Sequence, residues 1–134
     1  MTEIDGVLLA DNGYSVLLHR PVPYSDGHGY RHRIDLIAGP FQGTIDATTY
    51  VNVSALNRFR EALVGLYQNL KGDVQLAGYE NFTLSLKGDG LGHITVRVEA
   101  IAGPCMDTRL TYTFNIDQTQ LPQAISSLER FTPK

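Results

Sequence analysis

Apolar and polar residues alternate along most of this chain, and the places where the period changes mark its elements. Residues 7–10, 14–19, 32–38 and 42–48 read as short strands with period-two alternation. Their separators, Asp11-Asn12-Gly13 and Gly39-Pro40, carry ordinary turn chemistry, and 21–30 is the longest irregular stretch. From 54 to 70 the period lengthens. Leu56, Phe59, Leu63, Leu66, Tyr67 and Leu70 then fall three or four residues apart, the stripe of an amphipathic helix. Ser54 is placed to cap its first turn and Gly72 to stop it, because glycine takes positive φ at little cost.

Alternation then returns with greater regularity. Val74 and Leu76 suggest a short strand. Phe82, Leu84 and Leu86 oppose Thr83, Ser85 and Lys87; Ile94, Val96, Val98 and Ala100 oppose His93, Thr95, Arg97 and Glu99; Leu110, Tyr112, Phe114 and Ile116 oppose Arg109, Thr111, Thr113 and Asn115. Strands of this kind pack one face and wet the other. Residues 121–131 form a second helix with Leu121, Ile125, Leu128 and Phe131 inward, and Pro122 is tolerated in its first turn. The expected fold is α+β: a twisted, largely antiparallel sheet of about seven or eight strands with two helices packed on one face.

Composition narrows the class. A length of 134 residues predicts one globular domain over 1–134, and 43% hydrophobic with 19% charged residues is ordinary for a soluble protein. The net charge of −3, with no basic run, argues against nucleic-acid binding. One cysteine, Cys105, rules out an intrachain disulfide, and the chain shows neither a secretory leader nor a membrane span, so a cytoplasmic location is expected.

Register reasoning brings two polar motifs together. With the apolar faces of 94–100 and 110–116 aligned and Ile101 paired with Arg109, Thr95 opposes Asn115 and His93 opposes Asp117. The His93 ring is then within reach of the Asp117 carboxylate, either as a clamp between hairpin and helix or as the centre of a small ligand site or enzyme. A two-residue turn at Asp89-Gly90 would put Leu86 and His93 on one face, against the pattern. An odd-length loop or a bulge is required, with Gly90 or Gly92 at positive φ.

No catalytic set accompanies the pair. The glycines Gly88, Gly90 and Gly92 lead into a strand, whereas a phosphate loop leads into a helix. His19, His28 and His32 lack acid or thiolate partners at metal-ligand spacing and read as loop and surface histidines. Cys105 has no nearby histidine to activate it. No metal, cofactor or catalytic residue is assigned. The better binding candidate is the polar sheet face of Thr83, Ser85, Lys87, Thr95, Arg97, Arg109, Thr111 and Thr113, flanked by Glu99 and Asn115. Tyr24, Tyr30 and Tyr50 either frame an interface or belong to the local core.

The order Phe41-x-Gly43, Leu66-Tyr67-x-x-Leu70-x-Gly72, Asp89-Gly90-x-Gly92-His93-Ile94-x-Val96 and Asp117-Gln118-Thr119-x-Leu121-Pro122 resembles a bacterial family of small proteins that includes WapI-type immunity proteins. The resemblance covers roughly 41–131. It implies a non-enzymatic protein whose partner is a cognate toxin domain, and it transfers no catalytic residues. A subunit that forms a homodimer through a sheet edge or face is the third reading.

Overall fold

The computed structural model describes residues 6–25, 29–49, 54–76, 79–103 and 107–131. Among them run β1 (Gly6–Asp11), β2 (Tyr14–His19), β3 (Val22–Pro23), β4 (Tyr30–Ala38), β5 (Phe41–Thr49), α1 (Ser54–Asn69), β6 (Lys71–Leu76), β7 (Phe82–Asp89), β8 (His93–Ala102), β9 (Thr108–Asp117) and α2 (Leu121–Phe131), with a 3-10 turn at Gln118–Gln120. The class is α+β, as the alternation predicts. The strand count is nine rather than seven or eight, because Val22–Pro23 pairs with β4 inside the stretch that reads as loop.

The strands divide into two antiparallel sheets where the sequence suggests one. The first is five-stranded: β1 pairs with β2, and β4 pairs with β2, β3 and β5. Strand β5 runs along the whole of β4, so β2 and β3 share the other edge of β4, at Ile34–Ala38 and Tyr30–Arg31 respectively. The second sheet is four-stranded in the order β6-β7-β8-β9. Each sheet turns its alternating apolar residues inward, and these join both helices in one continuous core that includes Val7, Leu18, Ile34, Leu84, Val96, Phe114, Leu63 and Leu128. A side chain buried to this degree contributes about 1.5–3 kcal/mol.

Helix α1 buries Leu56, Phe59, Leu63 and Leu66, as its spacing requires, but Tyr67 is 43% exposed and leaves the stripe. The helix also stops earlier than expected. Leu70 takes the left-handed conformation (φ 62°) beyond its last residue, and Gly72 already lies in β6. The Leu70 carbonyl accepts from Gly90 N–H at 2.8 Å. This crossing explains Gly88, since a Cβ there would meet Leu70 O at 2.5 Å and Leu66 Cδ1 at 2.8 Å. Helix α2 occupies the expected residues and buries Leu121, Ala124, Ser127, Leu128 and Phe131.

Side chains join the two sheets where ladder bonds do not. The Tyr112 hydroxyl donates to Ser15 O at 2.6 Å. The Gln120 amide donates to Ala10 O at 2.7 Å and accepts from Ala10 N–H at 3.0 Å. Gln123 donates to Gly6 O at 2.8 Å and approaches Leu8 N–H at 3.4 Å. Together the glutamines bond Gly6 O, Leu8 N–H and both backbone groups of Ala10 on the outward side of β1, an edge that would otherwise stand unpaired.

Candidate functional site

The outer face of the second sheet is a grid set by register. Lys87, Thr95 and Asn115 lie in one rank; Ser85, Arg97 and Thr113 in the next; Thr83, Glu99 and Thr111 in the third, with Arg109 opposite Ile101 beyond. Every one of these polar residues points away from the core, because their odd-numbered positions alternate with buried even-numbered ones. The expected plate therefore exists as a continuous surface. It extends further than expected: Asp73 and Gln75 of β6 oppose Lys87 and Ser85 and add a fourth column. Their alternation with buried Val74 and Leu76 was visible in the chain.

Interactions on the plate are local and exposed. Thr95 Oγ1 donates to Asn115 Oδ1 at 3.1 Å. Glu99 receives Arg109 at 3.2 Å and lies 3.8 Å from Arg97, so one carboxylate serves two guanidinium groups. Lys87 makes no ion pair among the described residues. The twist of the sheet makes a concavity of about 530 Å³ over Asp73, Gln75, Ser85, Lys87, Thr95 and Arg97. It offers hydroxyl, amide, carboxylate, ammonium and guanidinium groups without pairing a base with a nucleophile.

The two polar motifs come together in the expected register: His93 opposes Asp117, Thr95 opposes Asn115 and Ile101 opposes Arg109. Their side chains do not bond as expected. The His93 Nδ1 lies 3.1 Å from Asp89 Oδ2, while Asp117 accepts from the Thr119 backbone N–H at 2.9 Å and from the Thr119 hydroxyl. Asp117 is the cap of the 3-10 turn leading into α2, and proximity in sequence gives Thr119 the advantage over His93. Asp89 closes the hairpin: its Oδ1 accepts from Leu91 N–H at 2.7 Å and His93 N–H at 3.1 Å, with both Gly90 (φ 88°) and Gly92 (φ 98°) in the left-handed region. The pair Gly88–Ile94 brackets an odd loop, as the alternation requires.

These bonds hold both carboxylates below their usual range. For Asp89 the Leu91 amide is the main cause; for Asp117 it is the Thr119 hydroxyl followed by the Thr119 amide. The His93 side chain is 75% exposed, and neither His93 nor Asp117 lines the concavity over Lys87 and Arg97. The geometry is that of a turn and a cap, not of a pocket.

His19 and His32 fall on opposite faces of the first sheet, which corrects their reading as loop and surface residues. His19, on the outer face, sits 2.7 Å from Asp35 Oδ2, and Thr44 Oγ1 donates to Asp35 Oδ1 at 2.9 Å. Burial would raise the Asp35 carboxyl, but His19 and Thr44 outweigh it and hold it low. His32 is fully buried on the inner face, its Nδ1 bonded to the Tyr79 hydroxyl and its Nε2 without a partner. Tyr30 is buried beside it, with ring centroids 5.5 Å apart, and so is core rather than interface. His28 and Tyr50 lie outside the described residues, as does Cys105. No grouping of three histidine, cysteine or acidic residues able to hold a metal occurs among the described residues, and no described helix is long and apolar enough to cross a membrane.

The class these features define is an α+β protein with two antiparallel sheets, two helices and a broad polar sheet face. The chain belongs to the immunity protein WapI-like family, which matches it over residues 12–134. That match reaches well upstream of the motifs beginning at Phe41 and takes in most of the first sheet. A comparison with curated proteins finds no match.

Proposed function

We propose that this protein is a non-enzymatic immunity protein that binds and neutralises a toxin domain through the outer face of its second sheet. Family membership supports the immunity role. The observation that carries the choice of surface is the polar grid itself: four strands wide, free of core duties, and concave over Lys87 and Arg97. A partner with a convex patch of mixed charge would meet hydrogen-bonding groups already fixed in ranks by the sheet. Pre-organisation of this kind reduces the ordering cost of association.

The test is co-expression with any toxin domain found encoded beside this chain. The wild type should protect cells and co-purify with the toxin. Lys87→Glu with Arg97→Glu should weaken binding by on the order of thirtyfold or more, as loss of a central hot spot does, while leaving thermal stability unchanged. A doubly substituted protein that still protects at wild-type level would overturn the choice of surface. Failure of the wild type to protect against any neighbouring toxin would overturn the immunity role.

A further inference from the structure

The two outer edges of the first sheet are treated differently. That of β1 is satisfied by Gln120 and Gln123. That of β5 is satisfied only at one end, where Glu80 N–H donates to Thr48 O at 3.2 Å and the Asn81 side chain bridges Thr48 N–H and Asp46 O. Those bonds show which residues face outward. Backbone groups in a strand alternate sides, so the N–H and C=O of Gln42 and Thr44 point the same way as those of Asp46 and Thr48. Neither Gln42 nor Thr44 has a hydrogen bond to cover these groups among the described residues.

The open segment has none of the features that keep edges apart. Phe41-Gln42-Gly43-Thr44-Ile45 contains no charge and no proline, and its register with β4 is unbroken by a bulge. The edge strand β6, by contrast, carries Lys71 and Asp73. Phe41 is 66% exposed, although it belongs to the inward-facing row of β5. A Cβ built on Gly43 would meet nothing within 4 Å. Glycine inside a strand weakens it and often marks a place where another backbone or side chain comes close. Beside this row lies a groove of about 530 Å³, lined by Leu36, Phe41, Ile45, Ala100 and Leu110 among others.

The segment is also self-complementary. Laid antiparallel on a second copy about a two-fold axis at Gly43, Gln42 of one chain faces Thr44 of the other, and the outward groups of both satisfy one another in four hydrogen bonds. Phe41 then faces Ile45 of the other copy, twice, an aromatic–β-branched pairing that stabilises sheets. Gly43 faces its own counterpart, with Phe41 at the diagonal position on the same face, the placement from which an aromatic compensates glycine in strands. A two-fold axis uses the same patch on both chains and closes, leaving no further edge of this kind to propagate.

We propose that β5 is a homodimer edge: two copies of this chain join through residues 41–45, extending the first sheet across both. The proposal goes beyond the toxin-binding reading and stands apart from it, since the contact is made by residues 41–45, and of the outer polar face of the second sheet Arg109 alone lines the groove beside them. Sedimentation equilibrium of the full chain tests it without any toxin. The wild type should pass from monomer to dimer with rising concentration. Thr44→Pro removes an outward N–H and no ladder bond to β4, giving up within the chain only the exposed bond from Thr44 Oγ1 to Asp35, and proline is tolerated at that position of an edge strand. It should weaken association by on the order of tenfold or more, with unchanged circular dichroism.

A second variant tests the register. In a Cys105→Ser background, Gly43→Cys should crosslink rapidly on mild oxidation, because non-hydrogen-bonded partners have Cα atoms about 4.5 Å apart, within disulfide reach. Cysteines at Phe41 or Ile45 should not crosslink to themselves. A wild type that remains monomeric up to its solubility limit overturns the proposal. So does a dimer that persists in Thr44→Pro, or one that crosslinks through other positions in place of Gly43.

Discussion

The two sheets follow the same alternating code and reach different results. In the second sheet the code is obeyed along most of each strand: Leu84, Val96 and Phe114 face in, Ser85, Arg97 and Thr113 face out, and the departures lie at the far end of the β8–β9 hairpin, where Ile101 falls in the outward row and Thr108 in the inward one. In the first sheet the inward row of β4 and β5 breaks it twice. His32 is a fully buried polar residue with an unpartnered Nε2, and Phe41 is a large apolar residue left 66% exposed. Burying an imidazole costs free energy, and so does wetting an aromatic ring. The regular sheet owes its stability to its pattern. The irregular one carries two local costs, each of which points to something outside simple packing.

The largest expected effect comes from His32. Burial first, and then the charge of His19, push its pKa from 6.5 down to about 4, so the folded core accepts only the neutral ring. Above pH 6.5 neither folded nor unfolded chain protonates it and its contribution to the pH dependence is nil. As pH falls from 6.5 toward 4, the unfolded chain gains a proton that the folded chain refuses, and stability drops. The full loss is about 3 kcal/mol, flat below pH 4. Asp35, Asp89 and Asp117, all held below the usual carboxylate value, act in a separate and more acidic window. Urea unfolding between pH 4 and 7 should show the slope in the wild type and its disappearance in His32→Leu. Equal slopes in both proteins would place the acid sensitivity elsewhere.

A smaller effect separates the two edges of the first sheet. Gln120→Ala leaves both the N–H and the C=O of Ala10 without their side-chain partner, since the amide serves the two together. The expected cost is about 1–2 kcal/mol, read as a shift in the denaturation midpoint with an unchanged m-value. Substituting Gln42, whose side chain bonds nothing among the described residues, should leave the midpoint unchanged. If the two substitutions cost the same, the contrast between a sealed edge and an open one is wrong.

Much of this was legible in the chain, and the reasons are specific. The β8–β9 register follows from alternation plus one loop, so the pairing of His93 with Asp117 is fixed before any side chain is placed. What the two residues then do was not legible. Asp117 had Thr119 two residues away and His93 had Asp89 four residues away, and local partners prevail over cross-strand ones at an exposed turn. His32 did carry a signal, because it lies in step with Tyr30, Ile34, Leu36 and Ala38, all buried. Its chemistry obscured its period. The roles of Gln120 and Gln123 had no signal at all: they depend on α2 lying along β1, more than a hundred residues away in sequence.

The smallest effect is expected where the pattern is cleanest. Thr95 and Asn115 share one hydrogen bond of 3.1 Å on the exposed face of the second sheet, and water replaces either partner readily. Thr95→Ala should therefore change stability by no more than about 0.5 kcal/mol, although it also removes a β-branched residue from a central strand. The same holds for Thr113→Ala, which loses no side-chain hydrogen bond among the described residues. A near-zero result has a use beyond confirming exposure. It means that any loss of partner binding in these variants reports a missing contact, since the scaffold beneath them is intact. A cost well above 1 kcal/mol for Thr95→Ala would instead mean that the face contributes to holding β8 against β9, and the division between a packed side and a free side would fail where it looks most secure.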